Sequence, residues 1–377
     1  PLVFFTNMPS NALMAQGSAV ASTVYKNGTI TPDAVLNKFK GGLVTDVTKI
    51  RELLGAPATI TPEQGSLPKN FAGVDHNFKM PQVWKTAIAI DGQVPVSFPL
   101  SFTAEFTYTK KINDVMLDNY NIKSNDGWET LKGTGDDRYV YPNDYRYYKN
   151  INSACVLTNT SKGYGWTFNF TVNAEPVQNL NLMAAYTHTV MKELTGMPGN
   201  NAYSTWSNMY AVQGPNFLEL GNSRYVIPDR LIASASYKYA KDHFSLFYTG
   251  YSPSGYSFYY DGDINGDGNR YDLMYIPKDE NDIHFTNPAD ADLFWKFVNQ
   301  DSYLKNHKGE YAEPYSARAP FVHRFDFRWA HDFDVKIGQT MNKLVLSLDI
   351  MNVGNLFNSK WGVEKNMAGC NNGKILK

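Results

Sequence analysis

No run of 18 apolar residues occurs anywhere in this 377-residue chain, so no helix of it is expected to cross a bilayer. The mean hydropathy of −0.40 is that of a polar chain. That average is blind to membrane strands, which hide an apolar face by alternation. Neither sign of charge is in excess. The net charge is −1 at pH 7, which leaves no long-range field to draw nucleic acid or a strongly charged partner. Cysteine is scarce too. Cys155 and Cys370 are the only two and lie far apart, which argues against a disulfide framework and leaves the compartment open. Catalytic signatures are missing: there is no His-Glu-x-x-His, no Gly-x-Ser-x-Gly and no Gly-x-Gly-x-x-Gly. The stretch from Gly369 to Lys374 is one residue short of a phosphate loop and lacks its Ser or Thr. The seven histidines (His76, His188, His243, His284, His307, His323 and His331) show no metal-ligand spacing, and an enzyme is not expected. The opening Pro-Leu-Val-Phe-Phe has no charged n-region; a secreted chain of this start is expected to be a processed form or a piece of a longer one.

What the chain has is aromatics and alternation. Tyr, Phe and Trp number 25, 22 and 7. From Leu100 to Thr109, apolar Leu100, Phe102, Ala104, Phe106 and Tyr108 alternate with Ser101, Thr103, Glu105, Thr107 and Thr109. Successive strand side chains point to opposite faces, so one face meets something oily and the other something wet. The pattern recurs at Trp166–Ala174, Leu180–Thr187, Leu231–Tyr239, Phe244–Thr249, Phe321–Trp329 and Leu344–Met351, and less regularly at Val83–Ile90. Runs near ten residues exceed the usual globular strand and match a tilted membrane crossing. Glu105, Arg324, Asp326, Arg328 and Asp349 all fall on the polar face. Phe247, Met183 and Ile232 break the pattern. An alternating run taken singly reads more readily as half of a soluble antiparallel sheet, because soluble strands are far commoner.

The connections separate these readings. Links at 91–99, 175–179 and 240–243 are short and that at 330–344 is moderate, whereas those at 110–151, 191–225 and 252–320 are long. In an antiparallel meander successive links lie at opposite ends. Long loops therefore gather on one side and short turns on the other, the asymmetry of outer-membrane barrels. The expected architecture is all-β, an antiparallel transmembrane β-barrel of which this chain supplies about nine strands. A strand at 1–10, an extracellular loop at 11–80, barrel hairpins over 81–361 and the start of a further loop at 362–377 complete the reading. Thr31-Pro32-Asp33 and Asn287-Pro288, the latter before Ala289 to Val298, read as helix starts within the loops.

Several stretches carry a resemblance. They are Pro81-Gln82-Val83-Trp84-Lys85-Thr86, Val156 to Tyr164, Ala184-Ala185-Tyr186-Thr187, Asp261 to Gly268, Leu273-Met274-Tyr275-Ile276-Pro277, Gly309-Glu310-Tyr311-Ala312-Glu313 and Asp349 to Leu356. In this order and spacing the chain resembles the C-terminal barrel half of TonB-dependent outer-membrane receptors of the Oar-like group. The resemblance implies a barrel of about 22 strands with a plugged lumen, in the outer membrane of a Gram-negative cell. It implies capture of an extracellular ligand and energy-coupled uptake, with TonB engaged through an N-terminal part, plug included, that this chain lacks. Membrane lipid is the other expected partner. An alternative is a calcium-stiffened adhesion or secretion-related barrel with no uptake role; a third is a soluble β-rich carbohydrate-binding module.

The sharpest local motif is Asp261-x-Asp263-x-Asn265-Gly266-x5-Asp272. It has the calcium-loop pattern of oxygen ligands at positions 1, 3 and 5, glycine at 6 and a carboxylate at 12. A second frame starts at Asp263, with Asn265, Asp267 and Gly268, and lacks the carboxylate at 12. Asp261, Asp263, Asn265, Asp267 and Asp272 are thus candidate calcium ligands, against the plain reading of a polar turn. Aromatics in the long links, among them Trp128, Tyr141, Trp206, Tyr210, Tyr256 and Tyr259, suit ligand capture and loop packing equally.

Overall fold

A computed structural model describes residues 46, 48–49, 69–132, 135–365 and the backbone of 374–376. The strand expected at 1–10, most of the loop at 11–80, the helix start at Thr31, Cys370 and the Gly369–Gly373 stretch lie outside the described residues. Two compact units are present, Pro1–Phe71 with Asn150–Ser153 and Ala72–Lys149 with Ala154–Lys377. The wall strands and the site belong to the second.

The strands in chain order are β1 (Asn70–Val74), β2 (Gln82–Gln93), β3 (Leu100–Asn119), β4 (Ser153–Thr160), β5 (Tyr164–Val177), β6 (Leu180–Glu193), β7 (Gly221–Asn222), β8 (Asp229–Tyr239), β9 (Asp242–Tyr251), β10 (Tyr259–Tyr260), β11 (Tyr275–Ile276), β12 (Glu310–Tyr311), β13 (Val322–Ile337) and β14 (Thr340–Ile350). Helices α1 (Ala202–Ser207) and α2 (Ala289–Gln300) lie in the connections. β2, β3, β5, β6, β8, β9, β13 and β14 form an antiparallel meander in that order. The fold is all-β, part of a β-barrel wall. Among the described residues no helix is long and apolar enough to cross a membrane.

Register settles which residues share a face, because directly opposed residues on paired strands point the same way. One row crosses seven strands as Leu100, Ala174, Leu182, Ala235, Leu246, Phe327 and Ile350. The opposite face carries Asp91, Thr103, Thr171, Ala185, Ile232, Thr249 and Arg324 in one row. Among the described residues nothing covers the apolar face: Phe106 is 40% exposed, Leu346 54% and Leu348 51%. The polar face bonds to itself. Thr103 Oγ1 donates to Asp91 Oδ1 (2.6 Å), Thr187 Oγ1 to Asn169 Oδ1 (2.6 Å), and Arg324 pairs with Asp326 (3.3 Å). Arg328 reaches across to Asp349 (3.6 Å) rather than along its own strand to Asp326.

Two expected loop boundaries are corrected. The link expected at 110–151 is strand over its first ten residues, since β3 runs to Asn119, whereas its far end stands where expected, with β4 beginning at Ser153. Beyond Thr109 both faces are polar (Lys110, Lys111, Asn113, Asp114), so the alternation ends while backbone pairing goes on. β4 and β5 act as one strand against β3, with Asp114 opposite Thr160 and Lys110 opposite Tyr164 at constant register. Their interruption at 161–163 includes Gly163 at φ +116°. The moderate link at 330–344 is a two-residue turn, Gly338-Gln339, between β13 and β14. There the alternation of Phe333, Val335 and Ile337 with Asp332, Asp334 and Lys336 continues past Ala330.

With those corrections the sorting of links is complete. The turns after β5, β8 and β13 are two residues each, with Asn179 at φ 67°, Ala240 at 52° and Gly338 at 63°. Positive φ is what a two-residue hairpin turn requires, because only that backbone twist matches the twist of the flanking strands. The β2–β3 link, 94–99, closes through Val94 N–H donating to Leu100 O (2.9 Å). Links 120–152, 194–228 and 252–321 all leave from the other end. Gly338→Val is expected to lower stability to urea by about 1–2 kcal/mol, the cost of a left-handed L-residue, and Gly338→Asn by less; equal losses would place the strain elsewhere.

Candidate functional site: the long-loop end

The two buried apolar clusters are built from the connections and the strand ends that carry them. One cluster joins Leu117, Ile122, Tyr141, Cys155, Trp206, Met209, Ala211 and Leu218. The second, built from the 252–321 link, joins Phe258, Met274, Ile276, Phe294, Val298, Leu304, Ala312 and Ala317. Helix α2 supplies Phe294 and Val298, four residues apart and so on one face. It starts one residue later than the Asn287-Pro288 reading: Pro288 holds the cap position and Asn287 Oδ1 accepts from Ala289 N–H (3.2 Å). Helix α1, not expected, is fixed by the Asn201–Ser204 capping box.

Polar side chains tie the three links together. Asn216 Oδ1 accepts from Trp206 Nε1 (2.7 Å) and from Asn119 N–H (2.9 Å), while its Nδ2 donates to Asn119 O (2.9 Å). This locks the second link to the top of β3. Arg138 does the same for the first and third. It is fully buried, grips Asp136 through Nε (2.8 and 3.0 Å) and donates to Leu273 O (2.7 Å). The rings of Tyr260 and Tyr311 lie 5.1 and 5.5 Å from its guanidinium carbon, a placement that favours the cation. A buried charge survives only when paired and hydrogen-bonded in this way.

The acidic loop lies between these anchors. Asp263 Oδ1 accepts from the N–H of Gly266 (2.6 Å) and Asp267 (3.1 Å), and Oδ2 from Gly268 N–H (2.8 Å). Asn265 Oδ1 accepts from Asp267 N–H (3.0 Å), Asp267 Oδ1 from Asn269 N–H (2.6 Å), and Asp272 Oδ2 from Ile264 N–H (2.8 Å). Main-chain bonds thus draw Asp263, Asn265, Asp267 and Asp272 into one closed turn; Asp261 is half-buried at its edge. Burial pushes the Asp267 carboxyl up to about 6. Burial, then the charge of Asp267, pushes Asp272 up to about 7. Tyr141 N–H donates to Asn265 O (2.7 Å), joining the first link to the turn.

Beside the turn opens a cavity of about 1030 Å³. Its walls include Tyr210, Tyr256, Tyr259, Tyr271 and Tyr315, with Arg224 and Arg270. Tyr210 packs at 5.2 to 5.4 Å against Tyr259, Tyr271 and Tyr315. A rigid aromatic lining with a few cations holds a flat or ring-shaped ligand bearing an anionic or hydrogen-accepting group. The aromatics were legible as loop residues. Arg224 and Arg270 were not, because nothing local marks them; they meet only when two separate links fold together. His323 packs among aromatics, 5.0 Å from Phe321 and 6.0 Å from Tyr248.

No protein-family model matches the chain. None of the curated proteins matches it significantly. Among solved structures the chain is similar to the outer membrane transporter YddB from Escherichia coli, with 11% identity and a TM-score of 0.37, over 78% of this chain. It spans 31% of the length of that structure.

Phe258, with no exposed surface, is expected to cost about 3–5 kcal/mol when replaced by Ala. Hydrogen exchange should show the amides of 256–276 losing protection while those of β13 and β14 keep theirs. Equal loss in both would mean that loop cluster and wall unfold as one.

Proposed function

We propose that this chain is part of the wall and outer surface of a TonB-dependent outer-membrane receptor of the Oar-like type, which captures a ligand at its long loops and takes it up with energy delivered through TonB. One observation carries the reading: an apolar face continuous over the meander finds no protein cover among the described residues, while the long links gather at one end. On a soluble sandwich that face would be core. In a bilayer it needs no cover, because paired strands leave no backbone group unsatisfied. The span from Leu100 to Tyr108 rises about 26 Å at about 3.3 Å per residue, the height of the apolar band on such barrels. The 20 residues of β3 rise about 66 Å, so its polar upper half stands clear of the hydrocarbon and carries the loops. The tyrosine-lined cavity is the natural place of capture. Ligand class, plug contact and TonB coupling rest on the resemblance and the cavity chemistry.

Arginine scanning tests the membrane part. Phe106→Arg and Leu346→Arg should each block insertion into lipid vesicles, since Arg at the midplane costs about 2–4 kcal/mol. Thr103→Arg, beside Asp91 on the wet face, should insert normally. Equal tolerance at all three would refute the assigned facing. For the uptake part, strains lacking this protein and strains lacking TonB should share a growth defect on the same limiting nutrient. A defect only in the TonB strain would leave a barrel without an uptake role.

A further inference from the structure

The sequence motif at 261–272 has no part in the wall, and the structure gives it a specific shape. The loop winds around Asp263, not Asp261. Asp263 collects the three N–H groups of Gly266, Asp267 and Gly268, with Gly266 at φ +84° and Gly268 at +87°. This is the second of the two frames, with Asn265 third, Asp267 fifth and Gly268 sixth. Its missing last carboxylate is replaced by Asp272, two positions earlier, which bonds back to Ile264 N–H at 2.8 Å.

A second observation points into this turn. Asp267 is 4% exposed, and its Oδ2 has neither solvent nor a hydrogen-bond partner among the described residues. Its Oδ1 is spent on Asn269 N–H. Asp272, 2% exposed, is close enough to Asp267 to feel its charge. The buried cation nearby, Arg138, gives its hydrogen bonds to Asp136 and Leu273 O and reaches the two carboxylates only through its charge. Two buried carboxylates with no hydrogen-bonded cation are costly unless they coordinate a metal or take up a proton. Asn265, fully buried, also leaves Nδ2 without a partner among the described residues.

We propose that the turn Asp263–Asp272 binds one calcium ion through oxygens of Asp263, Asn265, Asp267 and Asp272, completed by main-chain carbonyls and water. Among the described residues no three His, Cys, Asp or Glu side chains are already gathered as a metal site, so binding requires the carboxylates of Asp263, Asp267 and Asp272 to close around the ion, with amide and main-chain oxygens completing the shell. Calcium accepts such a mixed set of six to eight oxygens in flexible geometry, whereas magnesium demands a tight octahedron and keeps its water. The consequence reaches the cavity. Arg270 and Tyr271, in its wall, lie between the ligands Asp267 and Asp272, and Tyr141 is bonded to Asn265 O. The ion therefore sets the position of one cavity wall and clamps the first link to the third. This inference stands on the loop alone and does not depend on uptake.

The test is calcium titration of the whole folded chain in detergent, by calorimetry and by thermal melting with CaCl2 or EDTA. One equivalent should bind with a dissociation constant below about 1 mM, raise the melting temperature, and not be replaced by equal MgCl2. Asp267→Asn should weaken binding at least tenfold, while Asp292→Asn, an exposed carboxylate on α2, should leave it unchanged. Should Asp267→Asn fail to fold, Asp263→Asn takes its place, its side chain being exposed. Absence of saturable binding to the wild-type chain, or equal binding by wild type and the loop variant, would overturn the site.

Discussion

Everything in this molecule follows from a sheet whose backbone groups are paired while one of its faces is not. Strand pairing runs unbroken from β2 to β14. Among the described residues the apolar rows over that span have no second layer, and the two buried clusters draw none of their residues from them. A two-layer domain hides such a face against helices or another sheet. Here the helices sit in the connections, beyond the strand ends. A face left open in this way suits a solvent that is itself apolar, as hydrocarbon is.

The same constraint explains how charge is distributed. Charged groups on the wall lie on the other face, where Arg324, Asp326, Arg328 and Asp349 pair among themselves. At the strand ends the apolar face carries groups that suit an interface. Trp329 Nε1 donates to Asp242 (2.9 Å), and Tyr186 and His188 share Asp229 (2.6 and 2.8 Å). Rings with one oily and one wet end settle at such boundaries. Above them the environment changes, and so does the construction. The long links build their own cores, because in water a loop cluster must bury apolar surface to be ordered. Arg138, Asn119 and Asn216 then pin those cores to each other and to the top of β3.

The wall was legible because its signal is periodic and local. From Leu100 to Thr109 each residue declares its face, and the registers bear that out through to Ile350. Legibility failed where the periodic cause is absent. Past Thr109 the strand leaves the alternating pattern and its end packs under the loop cluster at Leu117, so Lys110 to Asn119 carries no alternation although it is strand. β4 is lost for the same reason. The site was legible in part. Asp263, Asn265, Asp267 and Asp272 stand out by spacing within twelve residues, but the choice of frame needed the folded turn. The bond of Arg138 to Leu273 O, and the meeting of Arg224 and Arg270 in the lining of one cavity, join links far apart in sequence. No spacing rule reports such contacts.

The most direct measurement is a spin-label scan of residues 100–109 in lipid vesicles, comparing accessibility to dissolved oxygen with accessibility to a polar nickel chelate. Labels at 100, 102, 104, 106 and 108 should favour oxygen, and those between them the chelate, in a strict two-residue period. Labels immobilised and shielded from both reagents at 102 and 106, as inside a packed protein core, would contradict the account.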